Sequence, residues 1–389
     1  MASQQETGSP AEVLRAFFRL GLTSFGGPIA HLGYFRGEFV ARRAWLDEAA
    51  YADLVALAQF LPGPASSQVG FAIGLTRAGW LGGLAAWLGF TLPAAVALTA
   101  FAFIAERAEG RFADGLLHGL KLVAVAIVAQ AVLGMARSLC PDAPRAALAA
   151  LALGVVSAFP GSAAQIAAIT FGGLAGLWVC RAQTGGAAPA AAHSSRAGAI
   201  CLILFFAALA FAFVPTDVRP LRLAQAFYRS GALVFGGGHV VLPLLQSAIV
   251  EPGFVTQNAF LAGYGAAQAS PGPLFAFAAY LGAVAEGITG AVISLAAIFL
   301  PGLLVMAGAL PFWRRFSGKS AARAAMAGVN AAVVGLLAAA LYDPVFVNGV
   351  RTPVDFAIAV CGFVALVAWR APPVAVVAAV AVVSALIAR

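Results

Sequence analysis

The chain contains the same hydrophobic pattern twice, and this duplication limits the folds it can adopt. Residues 16–32 read AFFRLGLTSFGGPIAHL and residues 226–242 read AFYRSGALVFGGGHVVL, so that 8 of these 17 positions are identical at a shift of 210. A second pair, AQFLPGP at 58–64 and AQASPGP at 267–273, follows at a shift of 209. Apolar halves with Gly and Pro breaks at matching places are typical of secondary transporters.

The composition predicts a protein that lies mostly inside a lipid bilayer. Of the 389 residues, 62% are hydrophobic and only 10% are charged, whereas soluble domains carry about 25% charged residues. Several stretches approach the ~20 apolar residues that span a bilayer; they are 84–105, 116–136, 197–214, 288–311 and 354–369. We therefore expect an all-α polytopic membrane protein.

The same composition argues against several other classes of protein. The four cysteines have no CxxC spacing, which argues against a metal site, a cofactor or a disulfide framework. No Walker A sequence or nucleophile–base set is present, so an enzyme is not expected. The net charge of +8 is interpreted as charge at the ends of membrane segments rather than as a nucleic-acid surface. The first ten residues do not resemble a cleaved signal peptide.

The duplication divides the chain into three parts. The predicted domains are a first repeat at 12–181, a linker with a connecting transmembrane helix at 182–221, and a second repeat at 222–389. The linker contains the apolar segment 197–214, which has no counterpart before the first repeat. A single connecting span inverts the second repeat if each repeat crosses the membrane an even number of times.

The distribution of positive charge supports this inversion. Loop 36–48 carries Arg36, Arg42 and Arg43, whereas the equivalent loop 246–258 has neither Lys nor Arg. Conversely, loop 313–323 carries four basic residues and no acidic one, while its equivalent 105–115 has mixed charge. The positive-inside rule places 36–48 and 313–323 in the cytoplasm and their equivalents outside.

This arrangement leaves one net crossing between loops 36–48 and 105–115. Residues 49–77 are therefore predicted to form a re-entrant hairpin, with half-helices at 49–60 and 65–76 around Pro62-Gly63-Pro64. A kinked helix that spans the whole membrane is the alternative.

A Pro-Gly-Pro tip at membrane depth is a candidate binding site for an anion. A helix that restarts after such a tip directs free N–H groups and the positive end of its dipole at the space in front of it. In the first repeat that helix opens with Ser66 and Ser67, which add hydroxyl donors, whereas the second repeat offers only backbone there. The competing interpretation is that Pro-Gly-Pro merely kinks a helix for packing.

Charged side chains near these breaks are further candidates. Arg19 and Arg229 occupy equivalent positions and could pair with an oxyanion through forked donors, or could extend to the lipid headgroups. Lys121 lies in an apolar run and is a functional candidate on that ground, or lies near the membrane edge. His31 and His239 could titrate or serve as hydrogen-bonded structural groups.

Together, the motifs at Phe25–Pro28, Phe60–Pro64, Phe235–His239 and Ser270–Pro273 resemble those of the chromate ion transporter family in its long, two-domain form. The resemblance implies export of chromate from the cytoplasm, resistance to chromate, sulfate as a related oxyanion, and two halves of opposite orientation. The second copy differs by having Gly238 where the first has Pro28. The motif positions that carry over are Phe25, Gly26, Gly27, Pro28, Pro62, Gly63, Pro64, Gly236, Gly237, His239, Pro271, Gly272 and Pro273.

The predicted function is a secondary active exporter of chromate in the inner (cytoplasmic) membrane. The predicted partners are a chromate or sulfate anion and the lipid bilayer, with a homodimer as an open option and no nucleic acid. A carrier of sulfate or another tetrahedral oxyanion is the alternative, followed by a membrane enzyme. The predicted substrate site adds to the motif positions Arg19, Gln59, Ser66, Ser67, Lys121, Arg229 and Gln268.

Overall fold

The computed structural model describes residues 8–108, 110–159, 161–180, 194–236, 238–313 and 320–387. All regular secondary structure in these ranges is helical, as the composition predicts. Five stretches are long and apolar enough to cross a membrane; they are Ala65–Arg107, Arg111–Leu139, Ser162–Val179, Leu274–Phe312 and Ser320–Gly349. The chain is therefore an all-α polytopic membrane protein.

Two sets of helices follow each other in the same order. The first set is α1 (Pro10–Thr23), α2 (Gly27–Phe35) with a π-helical continuation (Arg36–Arg42), α3 (Glu48–Phe60), α4 (Ala65–Arg107), α5 (Arg111–Leu139), α6 (Ala143–Ala158) and α7 (Ser162–Val179). Helix α8 (Ser195–Phe211) connects the sets.

The second set repeats this sequence of elements with small variations. It comprises α9 (Arg219–Ala232), a 3-10 turn (Gly238–Val240) leading into α10 (Val241–Leu245) and a π-helical turn (Gln246–Val250), α11 (Gln257–Ala269), a 3-10 turn (Leu274–Ala276) leading into α12 (Phe277–Ala309), α13 (Ser320–Ala340) with a π-helical end (Leu341–Phe346), α14 (Val347–Gly349), α15 (Pro353–Val367) and α16 (Pro373–Ile387).

Each repeat contains a re-entrant hairpin. Helix α4 breaks at Ala78-Gly79, where Gly79 has a φ of +64°, and its first part folds back on its second. Gly74 and Gly82 are in such close contact that a Cβ on either residue would collide with the backbone of the other. The 13 residues of α3 extend only ~20 Å, less than the ~30 Å hydrocarbon core. The structure thus has the hairpin, with half-helices at 48–60 and 65–77, and not the kinked full span. A matching break occurs at Glu286-Gly287 in α12.

The two hairpins open at opposite ends of the molecule. The first hairpin opens where α4 turns at Gly79, and the long arm of α4 then runs away from that end towards Arg107. Far along this arm, the ring of Phe101 stacks on Tyr280 of the second hairpin, with centroids 5.7 Å apart. Beyond the arm, Lys121 donates to the Asn258 side chain at the mouth of that hairpin, at 3.0 Å. This is the antiparallel arrangement that inverted repeats require.

The repeats are interleaved rather than placed side by side. The long arms of α4 and α12 pack on each other at the centre, with α1 against α4 and α9 against α12. Helix α5 packs on α15 and α16 of the other repeat, and α13 packs on α6 and α7. Each repeat therefore completes its core with helices of the other.

Large apolar side chains remain exposed around the bundle. Examples are Leu81, Ile104, Trp178, Ile203 and Leu386. So many exposed apolar groups are unusual for a water-facing surface and suit contact with lipid.

Candidate anion site at the helix breaks

The four helix breaks meet at the centre of the molecule. The Gly63 N–H donates to the Val234 carbonyl at 2.7 Å, and the Gly272 N–H donates to the Ser24 carbonyl at 2.9 Å. Gly63 and Gly272 are repeat equivalents, as are Ser24 and Val234. Each Pro-Gly-Pro tip is therefore docked on the first break of the other repeat, and two symmetric hydrogen bonds hold the arrangement.

The docking requires glycine at both tips. Gly63 has a φ of +121° and Gly272 a φ of +90°. Residues other than glycine rarely adopt these backbone angles. A Cβ on Gly63 would lie 2.9 Å from the Gly302 Cα, and one on Gly272 would lie 3.1 Å from the Phe90 carbonyl oxygen. The tips thus lie against backbone midway along the long arms of α12 and α4.

The first breaks of the two repeats face each other, which explains the difference between the copies. Pro28 of one break lies beside Gly238 of the other, and a Cβ on Gly238 would come within 3.3 Å of the Pro28 ring. A second proline ring at position 238 would compete for the same space. The Pro28/Gly238 difference therefore fits the limited space between the two breaks.

The helix after the first tip begins with unpaired amides. Its first intrahelical bond is from the Gln68 N–H to the Pro64 carbonyl, at 2.9 Å, so the N–H groups of residues 65–67 precede the hydrogen-bonded ladder. No side chain of a described residue caps this end, and the same holds for α2, whose N-cap is Gly26. Both termini therefore offer donors to an anion.

Polar side chains surround the start of the first of these helices. Ser66 and Ser67 are buried, and the Ser66 hydroxyl lies 3.4 Å from Nδ1 of His31. The Gln68 amide donates to the carbonyls of Pro62 at 2.8 Å and Gly302 at 3.1 Å, which fixes the tip against α12.

The second repeat places different groups around its tip. His239 lies in the 3-10 turn after the break, with Nδ1 2.8 Å from the Tyr264 hydroxyl. Gln268 is half-buried, whereas its equivalent Gln59 is exposed. The remaining predicted motif positions lie at the four breaks and tips; they are Phe25, Gly26, Gly27, Pro28, Pro62, Gly63, Pro64, Gly236, Pro271, Gly272 and Pro273. Gly237 lies outside the described residues.

Three predicted cations are not brought to the breaks. Arg19 is exposed on α1. Arg229 donates to the Ala212 carbonyl at the end of α8 and lies over the Phe213 ring at 5.5 Å. Lys121 is buried but bonded to Asn258. Two further polar residues are buried nearby without belonging to a sequence motif: Ser24 at the first break, and Thr91 in the long arm of α4 next to Phe90, whose carbonyl faces Gly272. They could have been found as polar residues whose equivalents in the other copy are apolar.

The basic residues of loop 36–48 form ion pairs at one end of the molecule. Glu38 accepts from Arg42 and Arg43, and Arg36 pairs with Glu48 at 2.5 Å. Burial raises the pKa of Glu38, but the hydrogen bonds from the two arginines outweigh this effect, so the pKa lies below its usual value. Glu38 is accordingly an ionised partner of arginine at this end.

The sequence profile of the chromate transporter family matches residues 11–177 and 221–385. The chain belongs to the chromate transporter family. It is 28% identical to the chromate transport protein of Pseudomonas aeruginosa, covering 92% of this chain and 87% of that protein. It is 25% identical to the chromate transport protein of Cupriavidus metallidurans, covering 85% and 81%. No solved structure matches the chain.

A third relative extends the comparison. The probable chromate transport protein of Synechococcus elongatus is 26% identical, over 95% of this chain and 94% of that protein. The family and the names of these relatives support a multi-pass membrane transporter of an anion rather than an enzyme.

Proposed function

We propose that the protein exports chromate from the cytoplasm as a secondary active transporter of the inner membrane and so confers chromate resistance. The observation that carries this proposal is the docking of two Pro-Gly-Pro tips on the opposite breaks, with an uncapped helix start and the Ser66 and Ser67 hydroxyls beside them. Two relatives are named chromate transport proteins and a third is named a probable chromate transport protein.

The site offers what a dianion needs in order to leave water. Moving an isolated charge into a medium of low dielectric costs tens of kcal/mol, and fixed N–H groups and hydroxyls can replace part of its hydration. The proposed contacts are the breaks and tips themselves, with Ser66, Ser67, His239 and Gln268 beside them. Arg19, Lys121 and Arg229 are not included, because their side chains are exposed or bonded elsewhere.

Export is the direction that the membrane potential favours. An inside-negative potential assists the exit of negative charge by about 2.3 kcal/mol per charge for every 100 mV. The inverted repeats supply two related conformations, because exchanging the geometries of the two hairpins would open the central site to the other side of the membrane.

The direct test is uptake of labelled chromate into everted membrane vesicles that contain the protein. Uptake should exceed that of vesicles from an empty-vector strain, and cells that express the protein should tolerate more chromate. Sulfate shares the tetrahedral oxyanion chemistry, so the same vesicles are used for competition. Uptake equal to the empty-vector control would contradict export, and uptake of sulfate without chromate would reassign the cargo. Trivalent chromium in the product would instead indicate a reductase.

A further inference from the structure

The first repeat contains a group of buried polar side chains that the helical framework leaves unsatisfied. Ser24, His31, Ser66, Ser67 and Thr91 are each at most 3% exposed. The Oγ atoms of Ser24 and Ser67, the Thr91 Oγ1 and the His31 Nε2 are buried and hydrogen-bond to no described residue. Buried polar groups are normally satisfied, so this concentration at one place calls for a ligand. We call these five residues the polar cluster.

Contacts place His31, Ser66 and the chain at Ser24 and Phe90 close to one another. His31 lies 3.4 Å from the Ser66 hydroxyl. The Ser24 carbonyl accepts a hydrogen bond from Gly272, which lies against the Phe90 carbonyl. The ring of Phe90, which precedes Thr91, meets the His31 ring edge-on at 5.1 Å. Ser67 lies in the same uncapped first turn as Ser66.

The second repeat provides an internal comparison, because every equivalent position there is apolar. Ser24 and His31 correspond to Val234 and Val241 at a shift of 210. Thr91 corresponds to Phe299 at the shift of 208 that relates Leu92-Pro93 to Leu300-Pro301. The serines correspond to residues within 274–276 (Leu-Phe-Ala).

Apolar side chains fill this space in the second repeat. The rings of Phe275 and Phe299 are in contact, with centroids 5.8 Å apart, and both are fully buried. Because Thr91 and Phe299 occupy equivalent positions, we infer from the internal symmetry that Thr91 faces the first turn after Pro64. The same location is therefore sealed in one repeat and lined with polar groups in the other.

The chemistry of the polar cluster favours an anion over a cation. Its free groups include three hydroxyls, and the amides of residues 65–67 start the adjoining helix, where the dipole is positive. No Asp or Glu among the described residues forms a hydrogen bond or an ion pair with the cluster, although carboxylates are the usual ligands of hard cations.

We propose that the polar cluster is a single, asymmetric oxyanion-binding site, one per chain, in which Ser24, His31 and Thr91 join Ser66 and Ser67. This rests on the proposed function in taking a tetrahedral oxyanion as the cargo. The second repeat holds the docked tip in place and contributes no second site.

The test uses the purified full-length chain in detergent, titrated calorimetrically with sodium chromate and, separately, sodium sulfate. Thr91→Val and Ser67→Ala remove one hydroxyl each with little change of shape. Ser294→Ala is the matched control, because Ser294 is equally buried in the second repeat and its hydroxyl is also unpaired. Wild type should bind one oxyanion per chain, and the two cluster variants should bind about tenfold more weakly. The control should bind like wild type.

Thermal unfolding without anion separates binding from folding. Removing an unsatisfied buried hydroxyl does not destabilise a fold, so Thr91→Val and Ser67→Ala should unfold at or above the wild-type temperature despite their weaker binding. Unchanged affinity in both, equal weakening in Ser294→Ala, two bound anions per chain, or no binding by wild type would each overturn the site. Vesicle flux is measured separately: intact flux with unchanged affinity in the cluster variants rejects only the site, whereas oxyanion binding without any flux rejects only the proposed function.

Discussion

Single glycines decide whether the tips can dock. Gly63 combines a left-handed backbone with contact to the Gly302 backbone, and it donates the N–H that Val234 accepts. Its neighbouring prolines fix the chain on either side and cannot donate hydrogen bonds themselves. The sequence was enough to predict a break here, because Pro and Gly act locally. It could not predict the acceptor, because Val234 is distant in the chain and carries no polar side chain.

We expect Gly63→Ala to be much more harmful than Gly110→Ala. Both positions have a positive φ, +121° and +99°, so alanine incurs a strain of about 1–3 kcal/mol at each. Only Gly63 has backbone in the way, since nothing lies within 4 Å of a Cβ at Gly110. The midpoint of thermal unfolding in detergent measures the difference. Equal shifts in the two variants would mean that the tip is not docked as described.

Arg229, which has an equivalent in the first repeat, contributes to the stability of the fold rather than to the anion site. Because its guanidinium bonds the Ala212 carbonyl at the end of α8, Arg229→Met should lower the free energy of unfolding by about 1–3 kcal/mol. Arg19→Met should leave stability within about 0.5 kcal/mol, since Arg19 is exposed. Chemical denaturation of both variants checks this. A stable Arg229→Met protein with lost chromate uptake would instead support the substrate contact that the sequence suggested.

At the scale of elements, the hairpins were predictable within a residue or two. The predicted half-helices at 49–60 and 65–76 agree with α3 and the first part of α4, because charge placement and prolines together allowed only one net crossing. The tight turn at Ala78-Gly79 was less evident, since it depends on the close contact of Gly74 with Gly82. Small residues in the sequence allow such a contact, but which of them pack together depends on the tertiary fold.

The Gln68 side-chain amide links the first Pro-Gly-Pro tip to α12, and its removal should reduce transport specifically. Gln68→Leu removes the bonds to the Pro62 and Gly302 carbonyls, which should cost about 1–3 kcal/mol of stability and free the tip. Gln165→Leu is the control, because that buried glutamine also donates to a proline carbonyl, Pro243, at 3.2 Å but lies away from the tips.

Chromate uptake, normalised to folded protein, compares these two glutamine variants. Uptake should fall at least tenfold in Gln68→Leu and remain near wild type in Gln165→Leu. Equal uptake in both would show that tip docking is irrelevant to transport.

At the scale of the whole molecule, the interleaved repeats form one body around a central set of breaks. Helices α5 and α13 each pack on the final helices of the other repeat, so neither half completes its own core. The sequence predicts both the duplication and the inversion: the spacing of the motifs indicates the duplication, and the placement of the basic loops indicates the inversion. The exchange of helices does not, because apolar faces of similar composition can pair in several ways.

The opposite orientation of the two repeats is the central claim, and sided chemical labelling tests it most directly. Cys140, Cys180, Cys201 and Cys361 are first replaced, since all four are free. Single cysteines are then introduced at Gly37 and Pro252, which are exposed in the corresponding segments 36–48 and 246–258 of the two repeats. In intact cells, a membrane-impermeant maleimide should label Pro252→Cys at once and Gly37→Cys only after permeabilisation. Labelling of both positions from the same side would contradict the account.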